Sequence, residues 1–273
     1  MFACTTTDRQ PQTLGTPNRQ AVQDAPTTSL QCQQVMWQDN NANRYDYRFD
    51  ANQRLTQCTA FEQTSSYGVY PFNQSLTYTK EGLLERVRDQ EDSSRYHYRN
   101  GRLASIDFFQ EGKSIYRYLV STNEQGIIVG LRGVPLNDSG LLGYTTRYQL
   151  DEQGRYVQLD VEDDRGKLYY RVKQTDFVSA NGHLYGLMQG VPYDLNRYPW
   201  LDWGEGFPLS PYLASHTETY RYAAPETPSQ LIKRADESVT WQRDKLGHVT
   251  GQFHTDVLTT IQDTVLIHYI NCH

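Results

Sequence analysis

The segment Arg95-Tyr-His-Tyr-Arg-Asn-Gly-Arg-Leu-Ala-Ser-Ile-Asp-Phe-Phe109 constrains this chain more than any other. Asn100-Gly101 puts two residues that tolerate positive φ side by side, which is what a type I′ turn needs. It therefore predicts two short strands joined by a two-residue loop. Tyr96 and Tyr98 alternate with Arg95, His97 and Arg99, giving one aromatic face and one wet face. A two-residue loop places Tyr98 opposite Leu103, and cross-strand pairs of that kind stabilise a sheet by roughly 0.2–1 kcal/mol each.

The rest of the chain reads as imperfect copies of this hairpin. Strands are expected over 30–37, 44–50, 54–61, 76–79, 83–88, 115–120, 127–131, 144–150, 155–161 and 168–172. A looser segment is expected from Glu62 to Gln74. After an interruption, strands resume at 218–222, 230–234, 238–243, 248–253 and 264–272. The expected turn glycines at 82, 101, 126, 154 and 182 lie 19, 25, 28 and 28 residues apart, a loose repeat of one hairpin per unit. After most turns one apolar residue is followed three positions later by another, as in Leu55 and Cys58, Leu84 and Val87, Leu103 and Ile106, Ile128 and Leu131. An odd offset puts such a pair on opposite faces of a flat strand. Either both faces of the sheet are covered, or a bulge re-aims one residue.

The expected fold is all-β: consecutive antiparallel hairpins in one strongly curved sheet or open barrel, with a long irregular aromatic loop. The 21 tyrosines supply much of the core. The final strand, Thr264 to Cys272, is so apolar that it should be paired on both sides or covered, because a bare apolar edge invites aggregation. Net charge is −6 with both signs interspersed, which leaves no basic face for a phosphate backbone and argues against nucleic acid as a partner.

Met1-Phe-Ala-Cys4 looks like the tail of a bacterial lipoprotein signal peptide, in which a small residue precedes the cysteine that is acylated. Residues 5–29 are rich in Gln, Thr, Pro and Asp without apolar periodicity, and read as a disordered tether. Residues 1–29 thus form a lipobox remnant and tether, and 30–273 a single domain. No stretch approaches the roughly 20 apolar residues of a membrane helix, so lipid on Cys4 is the expected attachment to a membrane. Cys32, Cys58 and Cys272 allow one disulfide and one spare thiol, with Cys58 joined either to Cys272 or to Cys32.

Tyr-x-Tyr followed by Asp-x-x-Gly-Arg-Leu-x-x-Ile resembles the tyrosine-aspartate repeats of bacterial wrapping proteins. It is visible as Tyr45 to Asp50 with Arg54-Leu55, as Tyr148 to Asp151 with Gly154-Arg155, and as Asn100 to Ile106. The resemblance covers 44–172, and the chain as a whole is similar to tyrosine-rich envelope lipoproteins of unknown function. It implies a hairpin array in the bacterial envelope, as an outer-membrane lipoprotein, and brings no catalytic residues.

Over 177–216 the hairpin rhythm stops in a stretch dense in proline, glycine and aromatic residues. Long irregular segments of this kind are often binding loops. Two alternatives stand. The segment plugs an open end of the sheet, or Tyr198, Trp200 and Trp203 present ring faces to a sugar while Asp202 and Glu205 accept hydrogen bonds. Asp202 and Glu205 are also the carboxylates a glycoside hydrolase would need. His97, His254 and His268 lie on expected strands without metal-ligand spacing, and no phosphate loop or nucleophile elbow is present, so no cofactor, metal or catalytic residue is expected. The leading expectation is a lipid-anchored envelope protein that binds or scaffolds a glycan or an envelope protein. The alternatives are a carrier of lipid within the curved sheet and a glycosidase.

Overall fold

The computed structural model describes residues 31–40, 43–64, 68–90, 92–136, 143–180, 183, 206–222 and 231–272, with backbone alone for 61–64, 68–72 and 222. The described strands are β1 (Cys32–Asp39), β2 (Arg44–Phe49), β3 (Leu55–Thr64), β4 (Gly68–Tyr78), β5 (Leu84–Asp89), β6 (Asp92–Arg99), β7 (Arg102–Gln110) and β8 (Lys113–Thr122). They continue as β9 (Ile128–Pro135), β10 (Tyr144–Leu150), β11 (Tyr156–Asp163), β12 (Leu168–Ser179), β13 (Tyr212–Tyr222), β14 (Leu231–Arg243), β15 (Val249–Asp256) and β16 (Gln262–Cys272). Each pairs antiparallel with its neighbours in sequence, and β1 pairs with β16, so the sheet is a closed barrel.

The expected array of consecutive antiparallel hairpins in a strongly curved sheet or open barrel is what forms, and it curves as far as closure. The apolar β16 is paired on both sides, by β15 and β1, which removes the last edge. The Cys32↔Cys272 register sets those two residues opposite each other, and they form the disulfide; this corrects both expected pairings, each of which used Cys58, a buried thiol outside the disulfide. The looser segment expected at 62–74 is largely strand: β3 runs on to Thr64 and β4 begins at Gly68. The two strands expected at 230–234 and 238–243 are one, β14, with an extra residue at Arg234 that breaks the alternation. The interruption is also narrower than 177–216, since Phe177 pairs with Ala214 and Ser179 with Tyr212.

Asn100 and Gly101 have φ of 53° and 73°, and Tyr98 lies opposite Leu103 as the two-residue turn requires. The i, i+3 pairs are resolved by bulges. Thr56, Glu85, Ala104, Val129, Val157 and Thr250 are each an extra residue opposite the neighbouring strand. One residue of offset turns an odd spacing into an even one, so Leu55 with Cys58, Leu84 with Val87, Leu103 with Ile106 and Ile128 with Leu131 are all buried on the same, inward face.

The turns before four of these bulged strands share one mechanism. Asp151 Oδ1 accepts the amides of Gln153 and Arg155, its Oδ2 accepts Arg155 Nε at 2.6 Å, and Gly154 takes φ of 75°. Asp50 with Arg54 and Asp244 with His248 repeat the arrangement, while Asn123 Oδ1 accepts the Ile127 amide. An aspartate or asparagine at the turn's first position thus satisfies amides that the ladder leaves over.

An extra residue disturbs the local ladder, and the carbonyl beside it needs a donor. Tyrosine hydroxyls supply several. Tyr78 donates to Leu55 O at 2.7 Å, Tyr156 to Ile128 O at 3.0 Å and Tyr269 to Val249 O at 2.8 Å. In each case the acceptor is the residue immediately before the extra one. This is one structural use of the tyrosine load: a ring large enough to fill the interior carries a hydroxyl that mends the bulge. Tyr156→Phe should therefore cost about 1–3 kcal/mol, the usual penalty for an orphaned buried group, as measured by urea unfolding. A loss below about 0.5 kcal/mol would show that the Ile128 carbonyl finds another donor.

The inward face forms one cluster that includes Tyr47, Tyr118, Leu55, Leu84, Leu131 and Leu159, all below 2 % exposed. Round barrels of sixteen strands commonly leave an aqueous channel, whereas these side chains are shielded. The outward face carries ion pairs across adjacent strands. Arg117 grips Asp107 with two bonds of 2.6 and 2.9 Å, and Arg171 grips Asp160 at 2.6 and 2.8 Å. The Arg117 guanidinium holds the Asp107 carboxyl below the usual carboxylate range, against the opposing effect of its burial.

Candidate functional site

Antiparallel strands sort the turns onto two ends of the barrel. The Cys32–Cys272 end carries the turns at 50–54, 79–83, 100–101, 123–127, 151–155 and 244–248, together with the long β12–β13 connection. That connection is the natural candidate for a functional site. Tyr198, Trp200, Asp202, Trp203 and Glu205 lie outside the described residues, as do Cys4 and Gly182.

The two roots of the connection are described and both are anchored. On the outgoing side the Ala180 amide donates to Pro211 O and the His183 amide to Ala180 O. The His183 ring is 2 % exposed, edge-on to Trp241 at 5.6 Å, and 2.8 Å from Gln252 Nε2. Gln252 in turn bonds His254, and Trp241 Nε1 donates to Ser215 Oγ. Burial, and then the charge of Arg243, push the His183 pKa down to about 3, so the ring is neutral at ordinary pH. On the returning side Phe207 packs 6.1 Å from both Tyr148 and Tyr156, and Tyr148 donates to Gly206 O at 3.0 Å. The roots are thus seated on β14–β15 and on β10–β11, either side of the β12–β13 pair. Phe207 and Leu209 pack on the core, as the plug alternative requires of them.

A second constellation, missed in the sequence, lies on the outer wall. His216 Nε2 approaches Asp236 Oδ1 at 2.7 Å, and Thr175 Oγ1 lies 3.1 Å from His216 Nδ1. His216, Glu218 and Asp236 bring one ligand atom each within 4.8 Å of one another. Lys233 Nζ already bridges Glu218 and Asp236, and Tyr220 donates to Glu218 at 2.8 Å. Hydrogen bonds from Lys233 and Tyr220 lower the Glu218 pKa, and those from His216 and Lys233 lower that of Asp236. The cation such a cluster would attract is supplied by the chain itself, so the arrangement is that of an ion-pair network. Only register joins these residues: Glu218 pairs with Asp236, and His216 with Thr175 and Ser238.

No family model and no curated protein matches this chain. Among solved structures, a porin-like protein from Bacteroides uniformis aligns with a TM-score of 0.56 at 13% identity, over 89% of this chain and 98% of that one. The likeness is one of fold alone. A porin-like protein from Bacteroides vulgatus aligns over 88% of this chain and 99% of its own at 8% identity and a TM-score of 0.42. A Photorhabdus luminescens Tc holotoxin pore structure aligns over 81% of this chain and 12% of its own, at 11% identity and a TM-score of 0.21.

Proposed function

We propose that this chain is a non-catalytic protein of the bacterial envelope, held at the outer membrane by lipid on Cys4 and binding or scaffolding a glycan or an envelope protein. The observation that carries the reading is the division between its two faces, aromatic and aliphatic inward, ion-paired outward. A barrel that spans the outer membrane has the reverse arrangement, an apolar band about 25 Å tall facing lipid and a polar interior. Arg117 and Arg171 lie within strands of the outer wall, and an arginine facing lipid at mid-membrane costs about 2–4 kcal/mol. A barrel built this way keeps its wall in water and needs a separate attachment. Cys4 and the polar tether after it suit that role, and the tether leads to the barrel end that carries the β12–β13 connection.

On this reading Trp200 and Trp203 stack on sugar rings, with Tyr198 beside them and Asp202 and Glu205 accepting hydroxyl hydrogens. A lipid carrier fits less well, because the inward side chains it would need as an apolar lining are already shielded. A glycan array probed with the parent, Trp200→Ala and Trp203→Ala is expected to show binding that drops at least tenfold in both variants. Binding unchanged in both, or a parent that binds no glycan, removes the sugar site.

A further inference from the structure

Six of the described arginines pair with acids, and three of those that do not are gathered in one place. Arg44, Arg54, Arg117, Arg147, Arg155 and Arg171 each meet an Asp or Glu. Arg86, Arg88 and Arg95 do not, and they line one open cleft of about 480 Å³ on β5, β6 and β7, toward the barrel end opposite the disulfide. Register makes the crowding unavoidable. Arg86 sits directly opposite Arg95, Arg88 opposite Ser93, and Ser93 opposite Phe109. Like charges facing each other across antiparallel strands destabilise the pair. Among the described lining residues Glu111 is the one acid, and together they carry an excess of two positive charges in a chain whose net charge is −6.

The donors in the cleft are held but not used up. Arg86 Nη2 donates to Ser93 Oγ at 3.1 Å, while the buried Arg86 Nε has no hydrogen-bond partner. Among the described residues Arg88 reaches only the Gln90 carbonyl, at 3.3 Å, and the Arg95 guanidinium lies 5.0 Å over the Phe109 ring. Buried donors without partners are uncommon, and a guanidinium fork matches the two oxygens of a carboxylate or phosphate. The volume is in the range of small-molecule sites and exceeds what a bare inorganic ion fills. Phe109 adds an apolar wall of the kind a sugar ring packs on.

We propose that this cleft binds an anionic saccharide, a sugar carrying a carboxylate or a phosphate, with Arg86, Arg88 and Arg95 on the oxyanion and Phe109 against the ring. The cleft lies toward the barrel end opposite the described roots of the β12–β13 connection, and the proposal does not rest on the glycan reading given for Trp200 and Trp203. The test titrates the full chain with glucose 6-phosphate, glucuronic acid, inorganic phosphate and glucose, following heat or chemical shifts. Glucose 6-phosphate or glucuronic acid should bind at least tenfold more tightly than either phosphate or glucose, and more weakly as salt rises. Which of the two binds distinguishes a phosphorylated from a carboxylated ligand. Arg88→Gln, at an exposed position that spares the fold, and Arg86→Gln should each weaken binding at least fivefold. Arg147→Gln, which removes the same charge elsewhere on the wall, and Trp200→Ala should leave it unchanged. Equal weakening by Arg147→Gln, no effect of Arg88→Gln, or binding of inorganic phosphate as tight as that of the sugars would each overturn the proposal.

Discussion

Replacing Cys32 and Cys272 together by alanine, or reducing the bond between them, is expected to cost this barrel about 4–5 kcal/mol of stability. The two cysteines are 240 residues apart in sequence and sit at the register position where the first strand meets the last. A cross-link over so long a loop removes more chain entropy from the unfolded state than a short one does. It also holds the one seam of the barrel that no hairpin turn holds. Every other neighbouring pair is joined by a connection in the chain, whereas no turn links β1 to β16 and the disulfide is the covalent tie across their ladder. Urea unfolding with and without reductant should show the midpoint falling and the slope rising as the unfolded chain loses its cross-link and exposes more surface, and amides of β1 and β16 should lose exchange protection before those of β7 and β8. Cys58→Ala, at the buried thiol outside the disulfide, serves as the control for losing a cysteine without losing the seam. A reduced protein within about 1 kcal/mol of the oxidised one would mean that the β1–β16 ladder closes the barrel unaided.

That seam was also the least legible part of the fold. Local chemistry announced the hairpins: Asn100-Gly101 needs no partner to reveal its turn, and Asp151-Glu-Gln-Gly-Arg155 carries its own amide acceptor and its own positive-φ residue. The i, i+3 apolar pairs held the bulges in plain sight, but a flat strand and a bulged one explain them equally until a neighbouring strand supplies the register. Nothing local distinguishes a curved sheet from a closed one, because the contact that closes it joins the two ends of the sheet. β14 shows the converse failure: the bulge at Arg234 interrupts its alternation, so one strand reads as two.

The outer-wall clusters were illegible for a related reason. Arg86 and Arg95, or His216, Glu218 and Asp236, are ordinary strand residues in sequence and become neighbours only once adjacent strands are aligned. Cross-strand register cannot be read from any one segment. The aromatic connection stood out because its composition differs from its surroundings, which marks a place but not a geometry.

Acid should weaken this protein well before its carboxylates titrate, and His183 is the reason. Its ring is buried against Trp241 and Gln252, and that burial, reinforced by Arg243, takes its pKa from an ordinary 6.5 down to about 3. The folded state therefore keeps the ring neutral over a range in which the unfolded chain takes up a proton. The stabilisation is fully present above pH 6.5 and is lost as pH falls through the interval down to about 3. The slope of a single such group is about 1.4 kcal/mol per pH unit, which makes the loss between pH 6.5 and 4.5 roughly 2–3 kcal/mol. Asp50, Asp107, Asp151 and Asp244 have lowered pKa values and act in a different window. Their contribution persists above the ordinary carboxylate range and falls away only as pH drops below it, so the interval from 6.5 to 4.5 isolates the histidine. Urea midpoints measured across that interval should slope for the parent and stay nearly level for His183→Gln, whose amide can still bond Gln252 without taking a proton. A parent whose midpoint is as level as the variant's would mean that water or a new partner reaches the ring when it charges, and that the root of the β12–β13 connection opens in acid at almost no cost.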